Sequence, residues 1–409
     1  IGDRRQRQMC IRDRNIRSLL LSSPYAEEGH PEILECFPNG AKRTIGMVEI
    51  TLENGTKGLG EGYLAVFAPR VFESIVELCT PYLIDADGFD IKQRVRDLCR
   101  VCDYWSLQGA ARHVISAVEI ALADAKAKSL NIPVHKLYGD AKTDRMEMYG
   151  SGGICDTKEH FREELKQLSE LGIGLYKIRA EKDDIIRTAW ILEEAAKHGI
   201  RVGVDMCQNL ADPPQKVKEV VDYVTGIQNL TDQEIIFLEE SIGPADPEGF
   251  KALRRCVSPK VCGGEIITTP TEMNERIRNQ VYDFVQPDAS VIGGIGAVME
   301  VFEQANQMNT EVVVHAWGGP VAIMASYHAA FAGGGNLVEF PMLDFPLGDE
   351  MLGESKAILN GFLLRPDGAG LGITFNDEIE NKYRFDETAV YSCKTLDRGK
   401  PPESYWEEN

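Results

Sequence analysis

Seven short apolar runs in this sequence each lead into a chemically loaded residue, and they recur at near-even intervals. The runs are Gly174-Leu175-Tyr176, Val202-Gly203-Val204, Ile235-Ile236-Phe237-Leu238, Val261-Cys262-Gly263-Gly264, Phe284-Val285-Gln286-Pro287, Val312-Val313-Val314 and Asn336-Leu337-Val338. The residues they lead into are Lys177 with Arg179, Asp205, Glu239, Glu265, Asp288, His315 and Glu339. Each run is too short for a helix and too apolar for an exposed edge, so it reads as a strand buried on both faces. Amphipathic stretches such as Glu159 to Leu171 and Ile185 to His198 separate them, which is the βαβ alternation. With Met146-Glu147-Met148-Tyr149 as a first strand the count is eight, and in a parallel barrel of eight strands every strand end points to one rim.

The chain ahead of the barrel has a different pattern. Gly46 to Leu52 alternates, Glu53-Asn54-Gly55-Thr56-Lys57-Gly58 turns back, and Asn54-Gly55 is expected to supply the positive φ values of a tight hairpin. Helical stretches follow at Phe72 to Leu83, Ile91 to Arg100 and Gly109 to Leu130, the last with apolar or small residues at Val114, Ile115, Val118, Ile120, Ala121 and Ala125. The partition is an α+β capping lobe over 15–140, a barrel over 141–345 and a loop-rich tail over 346–409 that packs back on the lobe. The boundary lies near Gly139 to Asp144, and Gly368-Ala369-Gly370-Leu371-Gly372 is the tail's most marked turn. Residues 1–14 are densely charged without either period and read as extraneous.

A net charge of −20 over 409 residues offers no basic stripe for nucleic acid. No run of about eighteen apolar residues spans a membrane, no signal-peptide core opens the chain, and a cytoplasmic location is expected. Ten cysteines in a chain of this length do not make a disulfide scaffold, and Cys99-Arg100-Val101-Cys102 lacks the second pair of a zinc site. They read as buried thiols, with Cys207 and Cys262 in core strands.

The order Lys177-Ile178-Arg179, Asp205, Glu239-Glu240, Gly264-Glu265, Pro287-Asp288 with Gly293-Gly294, His315 and Glu339 resembles the mandelate racemase subgroup of the enolase superfamily. The resemblance runs from about Ile45 to about Arg384. It takes in Gly58-Leu59-Gly60-Glu61-Gly62, Ser116-Ala117-Val118-Glu119-Ile120-Ala121-Leu122 and Tyr149-Gly150-Ser151-Gly152-Gly153. It implies an α/β fold, a (β/α)7β TIM-type barrel with an α+β capping domain formed by the N-terminal region and the C-terminal tail. It also implies a homo-oligomer acting on a small carboxylate substrate.

Asp205, Glu239 and Glu265 close three successive strands. Two unit charges 4 Å apart repel by about 4 kcal/mol at an effective dielectric of 20, so such a cluster needs a cation. All-oxygen ligands select a hard divalent ion, and Mg²⁺ suits a site that keeps positions for substrate and water. The resemblance puts the ligand at Glu239 and leaves Glu240 as a supporting neighbour. It implies Lys177 at the substrate carboxylate, His315 as base oriented by Asp288, and Glu339 bonded to the substrate carboxylate.

Two positions depart from the family pattern. Arg179 stands where racemases of the subgroup carry a second lysine, and holding a guanidinium neutral at pH 7 costs roughly 7 kcal/mol. Cys207 stands where an asparagine commonly follows the first metal ligand by two, which alters substrate contacts. With His315 as the one conventional base, the expected reaction is dehydration of an acid sugar, an aldonate or aldarate, to a 2-keto-3-deoxy acid. A racemase or epimerase using His315 and a perturbed Lys177, and a lapsed enzyme kept as a binding or regulatory protein, are the other readings. Leu21 to Asn39, with His30, and Gly62 to Arg70 are the stretches expected to read the substrate.

Overall fold

The computed structural model describes residues 11–24, 42–353, 356–389 and 403–407. Three antiparallel strands open the chain: β1 (Ile11–Pro24), β2 (Lys42–Leu52) and β3 (Lys57–Glu61), in the order β1-β2-β3. Strand β1 starts at Ile11, within the stretch read as extraneous, because its backbone still finds Leu52 of β2 as partner across an irregularity before Ile16. The hairpin turn differs from expectation. Gly55 alone has positive φ (86°), the Gly55 amide donates to Leu52 O and Asn54 Oδ1 accepts from the Thr56 amide, giving a three-residue loop.

The pleat of β2 divides its side chains between two cores. Val48, Ile50 and Leu52 face the lobe's helices α1 (Pro69–Cys79), α2 (Ile91–Ser106) and α3 (Ala110–Leu130), whereas Ile45 and Met47 join the barrel's core. The approach of β3 to α3 explains two glycines. A Cβ on Gly58 would lie 2.0 Å from Ala121 O, and one on Gly60 would lie 1.8 Å from Ala117 O.

The barrel strands are β4 (Arg145–Ser151), β5 (Leu175–Arg179), β6 (Arg201–Asp205), β7 (Ile235–Glu239), β8 (Lys260–Gly263), β9 (Phe284–Val285), β10 (Glu311–Val312) and β11 (Leu337–Pro341). Their parallel ladder runs β11-β4-β5-β6-β7-β8-β9-β10. The seam between the seventh and eighth strands is bridged by the Ala316 amide, which donates to Glu339 Oε2 at 2.9 Å. The result is the expected (β/α)7β barrel with its capping lobe. Helices on the outside start where the sequence caps them: Thr157 accepts from the His160 amide, and Asp246 from that of Gly249 with Pro247 next in line.

Within the barrel the side chains form layers. Tyr149, Leu175, Phe237, Cys262, Phe284 and Val313 pack as one apolar plug, with Leu337 against it. Two residues further along the same pleat stand Lys177, Glu239, Gln286, His315 and Glu339.

The tail does not pack on the lobe alone. Strand β13 (Phe362–Leu364), paired with β12 (Ile358–Leu359), adds antiparallel to barrel strand β4, and Trp406 stacks against Phe161 and Trp190 on the barrel's outer helices. Other parts of the tail do reach the lobe, through Leu347 N to Ser23, Leu371 N to Asp124, Arg17 to Glu380 and Lys42 to Asp386. Cysteine usage also needs correction. Cys155 is disulfide-bonded, whereas Cys79, Cys99, Cys102, Cys207, Cys256 and Cys262 are free thiols. Cys207 follows β6 rather than lying in it. Among the described residues no helix is long and apolar enough to cross a membrane.

Two predictions follow from packing and burial. Gly60→Ala has no room against the α3 backbone and is expected to lower stability by about 3 kcal/mol in urea unfolding. His328 stacks on His135 with ring centroids 5.5 Å apart, accepts the His135 amide at Nδ1 (3.1 Å) and donates from Nε2 to Leu371 O (3.4 Å). Burial, reinforced by His135, pushes it down to about 3. The unfolded chain therefore takes up a proton that the folded chain refuses once pH falls below about 6.5. Stability should drop by about 2 kcal/mol from this residue between pH 7 and pH 5, and His328→Gln should show a shallower drop.

Candidate active site at the barrel rim

A cavity of ≈ 290 Å³ opens between the rim and the lobe. Its floor is Lys177, Arg179, Asp205, Cys207, Glu265 and His315 from the barrel, and Arg43, Tyr63, Val66 and Phe67 come from the lobe. The Gly62 to Arg70 stretch thus reaches the cavity as expected. His30 lies outside the described residues, and of Leu21 to Asn39 only the first four residues, in β1, are described.

Lys177 is 1% exposed and sits among carboxylates: Nζ is 2.5 Å from Glu239 Oε1, 2.8 Å from Glu339 Oε1 and 3.9 Å from Asp205 Oδ2. Burial opposes its charge, but Glu239 and Glu339, with Tyr149 and Asp205, outweigh that and hold it well above the ordinary lysine value. Glu239 responds in the opposite sense. Burial lifts it to about 7 although Lys177 pulls it down, with Asp205, Glu339 and Glu265 adding repulsion.

His315 lies at the other side of this floor. Its Nδ1 is 2.7 Å from Asp288 Oδ2, and Asp288 Oδ1 accepts from both the amide and the hydroxyl of Ser290, each at 2.7 Å. Nε2 faces the cavity 3.3 Å from Glu265 Oε2. Burial disfavours the imidazolium, yet Glu265, Asp288 and Glu339 together raise His315 to about 10. Arg179 donates from Nη1 to Gly152 O at 2.5 Å and lies over the Trp317 ring at 4.2 Å. Cys207 has φ 49°, lines the cavity and donates its amide to Asp205 Oδ1 at 2.9 Å.

Of the three carboxylates read as ligands, Asp205 and Glu239 end adjoining strands and Glu265 lies two residues past β8, and their side chains do not close on one point. Among the described residues no three His, Cys, Asp or Glu groups are gathered to hold an ion, because Lys177 and His315 meet the inward oxygens of Glu239 and Glu265. Glu239 lies below the cavity rather than lining it. The donor chemistry nevertheless suits a hard divalent cation: the three candidate donors are all carboxylates, and burial with mutual repulsion raises Glu239 and Glu265. Glu240, next in sequence, turns away at φ 40° and accepts the Gly264 amide at 2.6 Å.

Several cavity or floor residues carry no sequence signal. Asn209 donates to Glu265 Oε1 at 2.6 Å, Gln286 donates to Glu239 Oε2 at 2.5 Å, and Trp317 is stacked on Arg179 while its carbonyl accepts from Arg43. Asn209 and Gln286 are 56 and 47 residues from their partners, so no local pattern could reveal them.

Comparison with known proteins gives two family matches, "Mandelate racemase / muconate lactonizing enzyme, N-terminal domain" over residues 36–139 and "Enolase C-terminal domain-like" over residues 160–379. An arabinonate dehydratase of Saccharolobus solfataricus is 26% identical over 83% of this chain and 90% of its own. The crystal structure of the 3,6-anhydro-D-galactonate cycloisomerase from Zobellia galactanivorans superposes with a TM-score of 0.79 at 25% identity, over 91% of this chain and 99% of that one. A racemase from Streptomyces coelicolor, crystallised with bound magnesium, superposes at 0.75 with 20% identity over 91% and 99%.

Removing one partner from a buried ion cluster leaves the others uncompensated, at about 3–5 kcal/mol. Lys177→Met, unfolded by urea in EDTA, is expected to lose stability in that range.

Proposed function

The chain belongs to the mandelate racemase / muconate lactonizing enzyme family of the enolase superfamily, and from that premise we propose that it is a Mg²⁺-dependent dehydratase of an acid sugar, an aldonate or aldarate. The observation that carries this reading is the His315–Asp288 pair facing the cavity, with cationic Arg179 and Lys177 rather than a second neutral base across from it among the described residues. Arg179 is a guanidinium stacked on an indole, and Lys177 is held cationic by three carboxylates. Racemisation needs a base on each face of the carbon, whereas dehydration needs one group that takes a proton and returns it.

In this reading Lys177 meets the substrate carboxylate, with Glu339 bonded beside it. His315, its Nδ1 tied to Asp288, takes the proton from the adjacent carbon at Nε2. The same Nε2–H then protonates the departing β-hydroxyl, which leaves as water, and the resulting enol relaxes to the 2-keto-3-deoxy acid. A divalent cation held by Asp205, Glu239 and Glu265 would supply positive charge for the enediolate and relieve His315 of the pull of Glu265. Arg179 and Cys207 line the space left for the rest of the sugar acid. The substrate class is supported by the relatives, an arabinonate dehydratase and a cycloisomerase of an anhydrogalactonate.

Incubating the protein with Mg²⁺ and a panel of aldonates and aldarates should release a 2-keto acid from at least one. His315→Asn should lower that rate by at least about 10³-fold with substrate binding retained. Deuterium washed from solvent into recovered substrate, with no keto acid formed, would instead identify a racemase.

A further inference from the structure

Each of the three carboxylates at the rim has its two oxygens used differently. Asp205 Oδ1 accepts the Cys207 amide while Oδ2 faces Lys177; Glu239 Oε2 accepts Gln286 Nε2 while Oε1 faces Lys177; Glu265 Oε1 accepts Asn209 Nδ2 while Oε2 faces His315 Nε2. In every case one oxygen is held by an uncharged N–H donor and the other faces a basic side chain, Lys177 for Asp205 and Glu239 and His315 for Glu265. A carboxylate side chain has free rotation about its last bond, and a single hydrogen bond to one oxygen is enough to fix where the other points.

Gln286 is only 1% exposed, and its amide oxygen has no hydrogen-bond partner. A buried amide left half-satisfied is unfavourable for stability. Its bond to Glu239 is therefore what the side chain contributes at this place. Asn209 stands in the loop after β6, lines the cavity and reaches across to Glu265 in the loop after β8.

We propose that Asn209 and Gln286 are positioning residues that aim Glu265 and Glu239 and thereby set the affinity of the carboxylate trio for a divalent cation. This rests on the metal-dependent reading above. Neither amide touches substrate in this role, and both act through the carboxylate they hold. Fixing a ligand beforehand lowers the ordering needed on binding, and loss of such a partner typically weakens metal affinity by about 10–100-fold.

The experiment is calorimetric titration of Mg²⁺ into the full chain stripped with EDTA, for the unsubstituted protein, Asn209→Ala, Gln286→Leu and the double variant, with unfolding midpoints measured in EDTA alongside. The expected result is an apparent Kd raised about 10–100-fold by each substitution and raised further in the double variant. Unchanged Mg²⁺ affinity in both single variants overturns the assignment. Weakened affinity that merely tracks lower unfolding midpoints also overturns it, because the amides would then be structural. No Mg²⁺ binding by the unsubstituted protein is a different outcome: it overturns the metal-dependent reading and this proposal with it.

Discussion

The rim depends on one buried ammonium. Lys177 rises from β5 into a ring of Glu239, Glu339 and Asp205, and among the described residues no other cation pairs with them at such short range. Each pair at about 4 Å contributes on the order of 4 kcal/mol at an effective dielectric of 20, and the contribution must offset desolvation of several kcal/mol for each ion. The balance is close, which is why Glu239 is lifted to about 7 even with Lys177 against it. Charge of this kind is tolerated in a barrel interior only because it is paired, the more so here because an apolar layer beneath it offers no solvation.

That layer is set by the period of the strands. Leu175, Phe237, Phe284 and Val313 fill the barrel, and the next inward positions are Lys177, Glu239, Gln286 and His315. A slip of one residue in any strand would turn its charged residue into the helical shell and its neighbour into the floor. The aromatic contacts of Phe237 with Tyr149 and with Phe284, at 5.9 and 5.6 Å between centroids, help to pin that register. Chemistry and packing are therefore read from the same alternation.

This alternation is also why much of the rim was legible in the sequence. Strands buried on both faces must be apolar throughout, so a charged residue at their end stands out, and Lys177, Asp205, Glu239, Asp288, His315 and Glu339 were found in that way. What escaped was contact between distant residues of ordinary type. Asn209, Gln286 and Trp317 look like any polar or aromatic residue in a loop or strand, and their partners lie in other elements. The tail was misjudged for a related reason. Its Phe362 to Leu364 segment has no marker that distinguishes pairing with β4 from pairing with the lobe sheet. In the hairpin, Asn54 invited a two-residue turn, but its side chain instead accepts the Thr56 amide and leaves positive φ to Gly55. Cys155 carried no local sign of its disulfide.

The lobe does more than roof the cavity, since two of its buried carboxylates seal the loops that carry His315 and Asp288, the base and orienting partner proposed above. Glu61, at the end of β3, accepts the Gly319 and Ala322 amides at 2.6 and 3.1 Å, at the start of the helix Pro320–Gly333 and four residues beyond His315. Glu119 on α3 accepts the Ile295 and Gly296 amides, both at 2.9 Å, at the start of the helix Ile295–Met308, and Ser116 accepts that of Gly293. These segments follow Asp288 directly. Helix N-termini favour negative charge, so both carboxylates are bound where the barrel presents unpaired N–H groups. Glu61 is still raised to about 7 by burial, despite those amides and Arg43. The Gly58-Leu59-Gly60-Glu61-Gly62 and Ser116 to Leu122 segments thus have one physical purpose: the glycines let β3 close on α3, and that closeness delivers Glu61 and Glu119 together to the loops holding His315 and Asp288. The geometry of His315 is accordingly fixed from the lobe as much as from the barrel.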